Sequence, residues 1–71
     1  MHYTAKGPMI DKGVDQAIEE FKAERGIRVD YNTWQEALEL AREEARSKSD
    51  AKTLALEYFR EVYEPGTRMM Y

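Results

Sequence analysis

Side chains able to do nucleophilic, redox or metal chemistry are scarce in this chain. His2 is the one histidine, and there is no cysteine. A Ser-His or Cys-His arrangement needs a third group to orient the imidazole, and none is offered near His2. A zinc or transition-metal site needs several imidazole, thiolate or carboxylate ligands, and His2 has no second histidine or thiolate to join it. Gly26 and Gly66 stand alone, so neither opens a phosphate-cradling loop. Asp11-Lys12-Gly13-Val14-Asp15 lacks the regularly spaced oxygens of a calcium loop. The sequence therefore predicts no metal and no cofactor.

Carboxylates are plentiful, but Glu19, Glu20, Glu43 and Glu44 come as doublets near Lys and Arg. That pattern is a solvated face. A general acid or base needs burial or a like-charge neighbour to move its pKa. The expectation is a protein that is not an enzyme.

Two groups of residues can bind something. Arg42, Arg46, Lys48 and Lys52 gather in one short stretch and form a candidate nucleic-acid contact. Glu43, Glu44 and Asp50 lie among them and offset most of that charge. Over the whole chain, 11 Lys plus Arg face 14 Asp plus Glu, a net charge of -3. Binding driven by counterion release favours an excess of cations, so a nucleic-acid-associated regulator is the alternative reading and not the first.

The second group is apolar and aromatic: Leu56, Phe59 and Tyr63, with Leu40, and the tail residues Met69, Met70 and Tyr71. Aromatic and Met side chains suit the centre of a protein interface. These residues are the expected contact surface of a small protein-interaction module. The expected partner is a second copy, as a dimer, with capture of a larger protein as a further role.

Elements that position these residues follow from periodicity. Gly7-Pro8, Gly26 and Pro65-Gly66 punctuate the chain. A first helix is expected over about 12–25, with Asp11 as N-cap and Gly26 as the left-handed terminator. Its core face is Val14, Ala17, Ile18 and Phe21. Residues 27–31 alternate apolar and polar, which suits an extended linker pinned to the core or a short strand.

A second helix is expected over about 33–47, opened by a capping box of Thr33 and Glu36. Its stripe is Trp34, Ala37, Leu38, Ala41 and Ala45, small enough for another helix to come close. A third helix is expected over about 51–63, capped by Ser49 or Asp50 and stopped before Pro65. Ala51, Leu54, Ala55, Tyr58 and Val62 form one apolar stripe, and Leu56, Phe59 and Tyr63 form a second beside it. Together they span roughly 200° of the helix, where a surface helix has an apolar stripe of about 100° or more. Contact with both other helices, contact with another chain, or cover by the tails would each account for that width.

The fold class is then all-α, a small three-helix bundle in a single domain over 1–71, with tails 1–9 and 65–71 flexible or docking. A chain of 71 residues buries only about 60% of its unfolded surface. Without disulfide or metal, such a core must be well packed or shared with another chain. The absence of cysteine and of an apolar leader at Met1-His2-Tyr3-Thr4 points to the cytoplasm. No apolar run is long enough for a membrane. In size and composition the chain is similar to compact helical proteins, many carried by phages and mobile elements, that work by binding one macromolecule.

Overall fold

A computed structural model of the chain describes residues 3–63. Among them are three helices and no strand: α1 (Tyr3–Arg25), α2 (Tyr31–Glu44) and α3 (Lys48–Tyr63). They form a compact up-down-up bundle. Asp11 of α1 meets Arg42 of α2, and Phe21 of α1 meets Phe59 of α3, which makes α1 and α2 antiparallel and α1 and α3 parallel.

The first helix starts well before Asp11. Pro8 lies inside it, with no N–H to give to the carbonyl four residues earlier. That forfeits one hydrogen bond near the start of a long helix and does not end it. Ile10 extends the Val14–Ala17–Phe21 face by one turn and is buried. Asp11 therefore sits within the helix, free to pair with Arg42 across to α2. At the other end Gly26 takes φ +70 and its N–H reaches the Lys22 carbonyl at 2.7 Å, the expected termination.

Residues 26–30 are an irregular connection and not a strand. Ile27 and Val29 press their side chains on the core, while Arg28 stays exposed. An edge with no second strand beside it has no ladder to join, so packing alone fixes the segment.

Both later helices begin earlier than their cap signals suggested. The N-cap of α2 is Asp30, not Thr33: the first helical bond runs from Trp34 N–H to the Asp30 carbonyl at 3.0 Å. Thr33 lies in the first turn and donates its hydroxyl to the Asp30 carboxylate. Glu36 does not turn back to complete a capping box, because its carboxylate accepts from Tyr58 of α3. The C-terminal end of α2 comes at Glu44, with Ala45 extended and buried.

Ser47, and neither Ser49 nor Asp50, caps α3. Its Oγ accepts from Asp50 N–H at 3.1 Å, and the Asp50 carboxylate accepts from Arg46 N–H at 3.2 Å. This arrangement is a variant of the capping box at the tight α2–α3 turn, its return bond going to Arg46, the residue before the cap.

Small residues let the helices approach. Ala17, Ala37, Ala41, Ala51 and Ala55 have no exposed surface. At Gly13 a Cβ atom would collide with the Lys48 carbonyl oxygen and lie 2.8 Å from the Ala51 Cβ. The first turn of α3 thus rests on the backbone of α1. At the opposite end the space is filled by rings: Phe21 lies 5.7 Å from Phe59 and 5.7 Å from Tyr63, centroid to centroid.

These contacts predict contrasting effects at two glycines of one helix. Gly13→Val must push α3 away from α1, and urea denaturation should record a loss of about 1–3 kcal/mol or more. Gly7 has open space at its Cβ position. Gly7→Ala should change stability by no more than about 0.5 kcal/mol, since the gain in helix propensity is offset by the crowding of a Cβ against the Pro8 ring. Equal effects at the two positions would disprove the close approach. Phe21→Ala should cost about 3–5 kcal/mol, most of the stability that a domain at the low end of the usual range has.

Candidate interaction surface

The wide apolar arc of α3 is filled largely within the chain. Phe59 is fully buried and Leu56 retains only 8% exposure. Neither offers appreciable area to a partner in this structure. Tyr63 is half-buried, its ring on Phe21 and its hydroxyl at the start of α2. Leu40 is half-buried on α2. Met69, Met70 and Tyr71 lie outside the described residues, as does His2.

The basic cluster is divided by ion pairs. Arg42 is held in a two-pronged contact with Asp11, at 2.8 and 3.1 Å. Lys52 is paired with Glu20 at 2.6 Å. Of the four cations, Arg46 and Lys48 make no side-chain ion pair among the described residues, although the Arg46 backbone N–H is bound by Asp50. Among those residues no three His, Asp or Glu side chains converge as a metal site. No helix among them is long and apolar enough to cross a membrane.

Two polar links tie α3 to the start of α2. Tyr63 donates its hydroxyl to Asp30 Oδ1 at 2.7 Å and accepts from the Asp30 N–H at 3.1 Å. The hydroxyls of Thr33 and Tyr63, both donating to the Asp30 carboxylate, hold it below the usual range. One turn away, Tyr58 donates to Glu36. That carboxylate, aided by partial desolvation, pushes the Tyr58 phenol up to about 12.

The aromatic residues left facing water lie elsewhere. Tyr31, the first residue of α2, is 67% exposed. Trp34, expected in the core, is only half-buried. Their rings lie 5.5 Å apart, tilted by 48°. Gln35 Nε2 donates to the Tyr31 hydroxyl at 2.9 Å and steadies the ring. Ile18 of α1, half-buried, comes level with Trp34 in the register set by the Asp11–Arg42 pair.

Reading 27–31 as one extended unit assigned Tyr31 to a linker. Taking Asp30 as the N-cap would have put Tyr31 and Trp34 at i and i+3, on one side of a helix. Comparison with known proteins adds no relative: no family model, curated protein or solved structure matches the chain.

The polar links make two predictions. In an absorbance titration of the phenols, Tyr58→Phe should remove a step near pH 12 and leave the lower steps in place; loss of a step near the ordinary value of 10 would refute the Glu36 contact. Asp30, with its pKa lowered, contributes stability that is complete above its ordinary value of 3.8 and is lost as pH falls below it toward the folded value. Asp30→Asn should therefore be the less stable protein at neutral pH and lose less on acidification to about pH 3. Parallel acid losses in the two proteins would show that another group governs this limb.

Proposed function

We propose that this chain is a small protein-binding module that works by contact and not by catalysis. One observation carries the reading: the Tyr31–Trp34 ring pair lies on the α1–α2 side of the bundle, with Tyr31 67% exposed. Tyr and Trp are enriched among residues that dominate interface energies, since each brings a large rigid area and a polar atom. A rim of charged side chains around such a pair is the usual composition of a protein contact site. The expected contact surface moves accordingly, from the second stripe of α3 to the start of α2, with Leu40, about 180° round α2 from Tyr31, outside it. Self-association belongs to this reading, as does capture of a larger protein, and the cysteine-free composition suits work in the cytoplasm. The nucleic-acid alternative weakens because Arg42 and Lys52 are already neutralised within the chain.

Photo-crosslinking in cells tests the reading. With a benzophenone amino acid in place of Tyr31, discrete protein adducts should form. The same group in place of Glu57, exposed on α3, should give none of them. Identical adduct patterns at both positions, or none at Tyr31, would refute the assignment of this face.

A further inference from the structure

The charges around the ring pair are not evenly spread. The Asp11–Arg42 contact fixes the antiparallel register of α1 and α2. In that register Lys22 comes level with Tyr31, and Asp15 lies toward the other end of the same face, past Ile18. On α2, Glu39 follows Tyr31 by two turns, with Gln35 midway. All of these except Ile18 are exposed. The face therefore has a cation and a phenol at one end, Asp15 and Glu39 beside the mutually paired Asp11 and Arg42 at the other, and Ile18 and Gln35 at its centre.

A surface of that kind complements itself when turned end to end. We propose that its occupant is a second copy of the same chain, packed about a two-fold axis that lies in the face and crosses the helices near Ile18 and Gln35. This inference rests on the interaction reading above and names its partner. In such a pair each α1 lies antiparallel on its copy, and so does each α2. Lys22 of one copy then meets Asp15 of the other, and Tyr31 of one meets Glu39 of the other. Each contact occurs twice, as closed two-fold symmetry requires.

The register supports one axis for both helices. On α1 the midpoint between Asp15 and Lys22 falls at Ile18 and Glu19; on α2 the midpoint between Tyr31 and Glu39 is Gln35. Ile18 and Gln35 are themselves nearly level across the α1–α2 pair. One rotation thus satisfies both sets of contacts. The Tyr31 hydroxyl is also prepared for the role. It accepts from Gln35, so its own proton remains to be donated, and a carboxylate is the strongest neutral-pH acceptor for it. The opposite arrangement, with the axis along the helices and like ends together, would lay each α1 on the α2 of the other copy, setting Lys22 against a phenol and Asp15 near the carboxylate of Glu39.

Charge reversal on the full chain tests the pairing by light scattering and sedimentation. The wild type at high micromolar concentration should have a mass near twice 8.3 kDa. Lys22→Glu and Asp15→Lys should each weaken association by ~10-fold or more, because each sets like charges together twice. The double variant, Lys22→Glu with Asp15→Lys, should recover dimerisation. Circular dichroism should be the same for all four proteins, since both side chains are exposed on α1. A dimer indifferent to both single reversals would overturn the proposal, as would single losses that the double variant does not restore. A wild type that stays monomeric would overturn it as well. In that case, Tyr31 adducts to a different protein would leave the broader interaction reading standing, whereas no adduct at Tyr31 would remove both.

Discussion

Asp30 is the residue on which three helices converge. Its backbone carbonyl starts α2, and its carboxylate accepts from Thr33 in the first turn of that helix. The same carboxylate accepts from Tyr63 at the end of α3. The Tyr63 ring in turn lies on Phe21 of α1, beside Phe59. An isolated helix of 14 or 16 residues is marginal in water, so α2 and α3 depend on packing of their apolar faces, which these ties hold in place. A hydrogen bond to a charged group is stronger than a neutral one. Here it also fixes how far α3 slides along α2, because Tyr58 and Glu36 must meet one turn further on.

The other end of the bundle is held by the opposite means. Where Phe21, Phe59 and Tyr63 fill space with rings, Gly13 and Ala51 remove side chains and let two backbones touch. A core this small cannot accumulate much apolar area. It gains instead from close approach, which brings many atoms within dispersion range. The division has a consequence for the surface. With α3 packed against both other helices, the wide apolar arc is used internally, and the uncovered aromatic area is displaced to the start of α2.

That displacement shapes the functional reading. Tyr31 is exposed because Asp30 is the cap: the first residue of a helix stands at its rim, where no other helix among the described residues covers it. Trp34 is half-covered for the same reason. The alternation of charge along α1 and α2 then decides what such a rim can meet. Ion pairs inside the chain consume Asp11, Arg42, Glu20 and Lys52, and leave Asp15, Lys22 and Glu39 to face outward. Exposed charges of this kind add little to stability, but they govern orientation and choice of partner.

Periodicity in the sequence determined the all-α class, the number of helices, their order, and most of the core. Val14, Ala17, Phe21, Ala37, Leu38, Ala41, Ala45, Ala51 and Ala55 are read from spacing and all are buried. Gly26 as terminator is equally legible, since a left-handed residue is a local requirement. Helix starts were less so. Asp30, Thr33, Ser47, Ser49 and Asp50 are all competent caps by type, and the choice among them depended on what lay across the bundle. Tyr63 drew in Asp30, and Tyr58 took Glu36 away from its capping box. Tertiary structure alone decided whether the arc of α3 faced inward, because the direction of a stripe relative to two neighbours is not written in its own period. It also decided that Trp34 packs on the edge of the core without full burial and that Gly13 is a contact point, since both follow from distances between helices that no single helix encodes.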